Sequence, residues 1–330
     1  MDPLEEALRA PAAPASGLVV AVVGPTATGK SDLGVALAHR LGGEVVGADA
    51  SQLYRGMDIG TAKLTLAERE GVPHHQLDVL DVTDEATVAG YQRHARADLA
   101  AVLDRGRVPL VVGGSGLYVR ALLDRLDIPP TDPEVRRRLE ERAAAEGTAA
   151  LLAELRDADP QAAAAIEPNN TRRVVRALEV VELTGRPFSA TLPVRESVRP
   201  TLTVGLRLER EALDRRIERR TRRMFDAGLV EETRALVDLG LREGRTASRA
   251  VGYAQALAVV DGTMTPDDAV PDTALRTRRL VRRQESWFGA DPRTTWVDAT
   301  DPDLVDRVAE RVEEAATRVR RGGWDDGAHG

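Results

Sequence analysis

Short apolar runs alternate along the chain with segments whose apolar positions recur every three to four residues. The runs at 18–23, 44–48, 76–80, 108–112 and 202–208 are rich in Val and Leu and are bounded by turn residues. They predict short strands of a largely buried sheet. A weaker run at 295–298 is a sixth candidate. Segments 31–41, 88–105 and 117–124 carry the helical period. Strands that alternate with helices imply a parallel sheet covered by helices. Between 128 and 200 the strand pattern disappears. Ile128-Pro129-Pro130-Thr131-Asp132-Pro133 reads as a stiff linker into a helix, with Asp132 as cap and Pro133 in the first turn. Helical segments follow at 134–146, 148–158, 160–166 and 171–184, the last closed by Gly185 with Pro187 beyond. Further on, 211–239 and 272–288 read as long helices dense in arginine. The expected organisation is an α/β core over 17–127 and 201–320, interrupted by an all-helical insertion at 128–200. Unstructured tails are expected at 1–16 and 321–330.

Composition narrows the chemistry. Among 330 residues there is no cysteine, so disulfides, thiol catalysis and cysteine-based zinc sites are excluded. No stretch approaches the roughly 20 apolar residues of a membrane span, and 1–16 lacks a hydrophobic signal core. A soluble, cytoplasmic protein is expected. The net charge of −7 argues at first against nucleic acid, but the charge is uneven. Arg276, Arg278, Arg279, Arg282 and Arg283 crowd eight residues without one acid, while acids gather at 78–85 and 298–314. Local patches decide binding, and such runs are also common on solvated helix faces.

Three blocks carry candidate chemistry. Gly24-Pro25-Thr26-Ala27-Thr28-Gly29-Lys30-Ser31 directly follows the first strand and opens the first helix. It fits the G-x-x-x-x-G-K-[ST] phosphate loop, expected by chance in roughly one chain in a hundred of this length. The glycines let backbone N–H groups turn inward toward an anion at a helix N-terminus. Lys30 would reach the terminal phosphate, and the Ser31 hydroxyl would ligate Mg²⁺. The second block, 49–63, opens with Asp49 at the end of the second strand, where ligands of open parallel sheets bind. A carboxylate there would accept a proton or reach a metal through water. The third, Val111-Val112-Gly113-Gly114-Ser115-Gly116-Leu117-Tyr118, is another strand running into a glycine turn, whose N–H groups and Ser115 hydroxyl can line the same crevice.

In order and spacing these blocks resemble the tRNA dimethylallyltransferase (tRNA isopentenyltransferase) family, bacterial type. The resemblance rests on GPTATGKS at 24–31, DASQLYRGMDIGTAK at 49–63, PHHQLDV at 73–79 and VGGSGLY at 112–118. It continues through PNNTRRVVRALEV at 168–180, VGYAQ at 251–255 and TRRLVRRQESWF at 277–288. It implies a P-loop NTPase-like core with a helical insertion that binds tRNA. It also implies a prenyl transfer, from dimethylallyl diphosphate to N6 of the adenosine at position 37 beside the anticodon. The phosphate loop then holds the donor's diphosphate, with Mg²⁺ as cofactor. Lys30 and Arg220 are expected on the diphosphate, Asp49 as general base, and Ser115 among the catalytic groups. Expected tRNA contacts are Asp49, Ala50, Ser51, Gln52, Ser115, Arg136, Gly252, Tyr253 and Gln284. Arg172, Arg173, Arg176, Arg282 and Arg283 are candidate phosphate contacts. The chain is expected to act as a monomer on tRNA, away from membranes.

The sequence departs from the family pattern in places. Ser115 stands where Thr is frequent, which keeps the hydroxyl. Ala254 stands where many members have Arg, and Asn170-Thr171 replaces a commoner Asp-Pro. Without cysteine, the C-terminal zinc finger of eukaryotic relatives is missing. A small-molecule P-loop kinase would share the phosphate loop but would not explain the 49–63 block. A prenyltransferase acting on free adenylate would not need the arginine-rich insertion, and a non-enzymatic RNA-binding module would not need Lys30 beside Asp49.

Overall fold

The structure, a computed structural model, describes residues 17–191 and 195–323, and the statements below concern these residues. The expected tail at 1–16, and the other from residue 324 on, lie outside them. The chain divides into two compact units, Asp124–Glu196 and the parts before and after it. The helical insertion is therefore present, beginning and ending four residues earlier than the sequence pattern suggests.

The larger unit is built on six strands: β1 (Val19–Val23), β2 (Gly43–Gly47), β3 (His74–His75), β4 (Val108–Gly113), β5 (Thr201–Arg207) and β6 (Thr294–Asp298). They lie in the order β3-β2-β4-β1-β5-β6, and every pairing is parallel. β1 is central and wholly buried, which is why it reads as an unbroken apolar run. Alternate residues serve opposite faces, as pleating requires. Val20 and Val22 pack with Leu33 and Leu37 of α1 (Lys30–Leu41) and with Val308 and Val312. Val19, Ala21 and Val23 pack with Tyr91 and Leu99 of α2 (Val88–Asp104) and with Tyr118 and Leu122 of α3 (Gly116–Leu123).

The smaller unit comprises α4 (Pro133–Glu146), α5 (Thr148–Ala158), α6 (Pro160–Ala165) and α7 (Thr171–Thr184) around Leu139, Leu151, Leu155, Val174 and Leu178. Asp132 caps α4 through Glu134 N–H at 2.8 Å, and Gly185 closes α7 in the left-handed conformation. The chain returns through α8 (Arg210–Asp226), α9 (Leu229–Asp238), α10 (Tyr253–Val260), α11 (Pro266–Gly289) and α12 (Leu304–Arg320).

Three expectations are corrected. Segment 76–80 is not a strand, because Gln76 and Asp78 sit at φ +58° and +54°, which breaks the pleat; pairing is confined to His74–His75 and a single bridge between Tyr54 and Leu80. The long helix at 211–239 is two helices, separated at Gly228 with φ +98°. The helix at 272–288 starts six residues earlier, capped by Thr265, whose hydroxyl accepts from Asp268 N–H at 3.2 Å.

Candidate active site

In a parallel sheet all strands point the same way, so the loops after β1, β4 and β2, three neighbours, emerge along one edge. Those loops hold the three blocks. After β1 the phosphate loop begins at Gly24 (φ +129°), where a Cβ would lie 2.6 Å from the Leu206 carbonyl oxygen, so only glycine fits. Ala27 (φ +67°) and Gly29 (φ +92°) are left-handed as well, which turns successive amides inward. The Thr28 hydroxyl donates to the Pro25 carbonyl at 2.9 Å, and Lys30 Nζ donates to the same oxygen at 2.6 Å. Ser31 follows on the first turn of α1.

The charges at this edge sense one another. Burial lowers the Lys30 ammonium to about 8, the Asp49 carboxylate acts against that shift, and the Arg220 guanidinium adds to it. Arg220, reached from α8, is also lowered by burial first, opposed by Asp49. Lys30, Arg220 and Asp49 thus lie within electrostatic reach of one another in poorly solvated surroundings, with Asp32 and Arg223 also acting on Arg220. Charges in such surroundings interact more strongly than in water.

Asp49 lies just past β2, and its side chain accepts from Ser51 N–H at 3.0 Å. Ser115, just past β4, holds this turn from the other side. Its N–H donates to Ala48 O at 3.2 Å and its hydroxyl accepts from Ala50 N–H at 3.1 Å. A Cβ at Gly113 would lie 2.2 Å from Ala48 O, so glycine permits the close approach of the two loops. The rest of block 49–63 folds around Lys63, whose side chain is 2% exposed. Its ammonium binds Tyr54 O, Asp58 and Asp78 at 2.9, 2.7 and 2.5 Å. The Thr61 carbonyl then accepts from both Gln52 Nε2 at 3.2 Å and Arg220 at 3.3 Å. Two of the expected site residues therefore meet on one backbone oxygen.

Other expected residues do different work. Gln284, expected on tRNA, is buried; its carbonyl accepts from Thr26 N–H at 3.0 Å and its amide donates to Gly114 O at 2.9 Å. It ties the phosphate loop to the glycine turn. Tyr253, also expected on tRNA, is fully buried, and its hydroxyl bonds Glu232 and accepts from Gly60 N–H at 3.2 Å. Gly252 uses its N–H on Gln255 at 2.9 Å to start α10. The Tyr253 and Gln284 side chains are both buried with their polar atoms engaged inside the protein. In the smaller unit, Arg136 and Arg176 clamp the fully buried Glu179 at 2.6 and 2.8 Å, and Arg176 also donates to the Pro129 and Pro130 carbonyls. Burial would raise the Glu179 carboxyl, but the two arginines and Asp132 N–H outweigh it and hold it below the usual range. Arg172 and Arg173 of the smaller unit, and Arg282 and Arg283 of α11, are exposed and make no side-chain bond among the described residues. Sequence reasoning did not single out Thr61, which lies within the 49–63 block but acts through its backbone carbonyl, or Glu232, which belongs to none of the blocks.

Residues 52–291 match the family described as IPP transferase. The chain belongs to this family. It is similar to a protein of Kineococcus radiotolerans named tRNA dimethylallyltransferase, at 61% identity over 90% of this chain and 97% of that one. The same name is carried by a Streptomyces avermitilis relative, 59% identical over 89% and 94%. Among solved structures, a tRNA isopentenylpyrophosphate transferase of Bacillus halodurans superposes with a TM-score of 0.69 at 38% identity, covering 92% of this chain and 98% of that one. A eukaryotic dimethylallyltransferase described as acting on tRNA gives a TM-score of 0.75 at 25% identity, over 92% and 80%. The family matches the resemblance carried by the motifs, and the parallel α/β core is the fold of these IPP transferases.

Proposed function

We propose that this family member transfers a dimethylallyl group from dimethylallyl diphosphate to N6 of adenosine 37 of tRNA, releasing diphosphate. The observation that carries the reading is the meeting of Lys30, Arg220 and Asp49 at the sheet edge that holds the phosphate loop. In this reaction the allylic C–O bond breaks, a C–N bond forms, and N6 loses a proton. Lys30, Arg220 and the inward amides of 24–30 oppose the charge gathering on the departing oxygens, in a geometry set before the reaction begins. Asp49, held by Ser51 N–H and the Ser115–Ala50 contact, accepts the N6 proton as the new bond develops.

Among the described residues no group of three or more His, Asp or Glu is placed to hold a metal. Mg²⁺ bound through phosphate oxygens needs no such group, since it keeps several waters and takes one or two protein ligands. The donor set fits: Ser31 offers a half-buried hydroxyl beside Lys30, with no hydrogen bond of its own among the described residues. Bound there, the ion would add Lewis-acid stabilisation of the leaving group.

The acceptor base sits in a loop and must be splayed out to react, at a cost of a few kcal/mol. Arg172, Arg173, Arg282 and Arg283, exposed and without a side-chain bond among the described residues, suit the RNA backbone, which rewards such cations with counterion release. The proposal places the reaction in the cytoplasm, with the chain working as a monomer. Among the described residues no helix is long and apolar enough to cross a membrane. Incubating the protein with dimethylallyl diphosphate, Mg²⁺ and unmodified tRNA, then digesting to nucleosides for mass analysis, should reveal one adenosine heavier by a C5H8 unit. Turnover of ATP in place of the prenyl donor, with unaltered tRNA, would refute the proposal.

A further inference from the structure

Glu232 stands in the first turn of α9, far in sequence from every phosphate-loop residue. Its carboxylate receives consecutive backbone amides from the second block. Ile59 N–H donates to Oε2 at 2.9 Å, Asp58 N–H reaches the same oxygen at 3.3 Å, and Gly60 N–H faces Oε1 at 3.5 Å. Successive amides turned to one side form an anion-binding concavity, and here the anion is the protein's own. Tyr253 closes it, with its hydroxyl on both Glu232 and Gly60 N–H. The fit allows no slack: a Cβ on Gly60 would lie 2.4 Å from the Tyr253 ring. The Thr61 hydroxyl then donates to Met57 O at 2.6 Å and completes the turn.

The residue that follows this anchor is Thr61, and its carbonyl is the acceptor for Arg220. That bond is the only one the Arg220 guanidinium makes among the described residues. Arg220 sits among charges of both signs, drawn by Asp49 and Asp32 and repelled by Arg223 and Lys30, so its charge surroundings alone do not hold it in one direction. A long side chain has much rotamer freedom to lose, and one fixed acceptor selects a single direction for it. We infer that Glu232 is a positioning residue: by filling the 58–60 amide concavity it fixes the Thr61 carbonyl, which aims Arg220 at the leaving diphosphate. The inference rests on the reading of Arg220 as a diphosphate contact.

The experiment is a double-mutant cycle read by calorimetry, with inorganic pyrophosphate and Mg²⁺ as the probe. Glu232→Gln keeps the shape but turns an NH₂ group toward the amides. It should weaken pyrophosphate binding about tenfold, the scale of one charge-assisted hydrogen bond. Tyr253→Phe, which removes only the hydroxyl, should weaken it by roughly two- to fivefold. In an Arg220→Ala background both effects should shrink below about twofold, because the group they position is gone. A general structural role would leave the loss equal in the two backgrounds and would overturn the inference, as would wild-type affinity in Glu232→Gln. Should Glu232→Gln not fold, Tyr253→Phe decides by the same cycle. If Arg220→Ala itself binds pyrophosphate as wild type does, the assignment of Arg220 fails and takes this inference with it.

Discussion

Arginine is used in opposite ways in the two units. In the α/β unit, Arg220 is withdrawn from water, meets other charges, and rests on one backbone carbonyl. In the helical unit, Arg136 and Arg176 are spent on the fully buried Glu179, while Arg172 and Arg173 are exposed and make no side-chain bond among the described residues. The first arrangement suits an anion whose charge must be met at one point as a bond breaks. The second divides labour between holding a helical fold together and offering loose cations to an extended polyanion. Arginine count alone teaches neither. What separates the uses is burial and the identity of the acceptor.

The contrast can be broken in a definite order. Asp49→Ala should reduce turnover by about 10²–10⁴-fold, the usual worth of a general base, while tRNA affinity measured by filter binding stays near wild type. Next comes pH. Lys30 must be charged to hold a diphosphate, and burial has brought it to about 8. The ratio kcat/KM for the donor should therefore fall roughly tenfold per pH unit above that value. A bound anion favours the protonated amine, so kcat at saturating donor should hold to higher pH. A profile flat to pH 10 would remove Lys30 from donor binding. Glu179→Gln should cost the helical unit about 1–3 kcal/mol, a buried pair discounted for partly exposed arginines. Hydrogen exchange should then accelerate within 124–196 while the sheet stays protected. The smallest effect belongs to the free cations. Removing both Arg172 and Arg173 should lessen the salt dependence of tRNA binding by about one to two units of log–log slope, with kcat unchanged.

Much of the architecture was legible because the patterns reflect burial. β1 is closed off on both faces and reads as unbroken apolar residues, and the phosphate loop is announced by fixed offsets. The insertion was visible through its caps, Asp132 and Gly185. The failures are equally physical. Segment 76–80 carries apolar residues, but two left-handed residues turn it to serve Lys63 and Asp98 instead of the sheet. In α12 the apolar positions Val305, Val308, Val312 and Val319 recur at helical spacing, but the acids between them obscure that period in the sequence. Gln284 and Tyr253 carry polar groups in segments linked with RNA, yet both point inward, a fact no one-dimensional pattern encodes.

Gripping the donor and accepting the proton fall to different side chains, and equilibrium binding of dimethylallyl diphosphate to two variants tests that separation directly. With Mg²⁺ present, Asp49→Ala should bind the donor within about threefold of wild type, although it is nearly inactive, because losing a negative charge beside the anion offsets losing its support for the Lys30 charge. Lys30→Ala should lose roughly tenfold or more, the value of one charged contact to phosphate. Equal losses in both variants, or unimpaired donor binding by Lys30→Ala, would contradict the account.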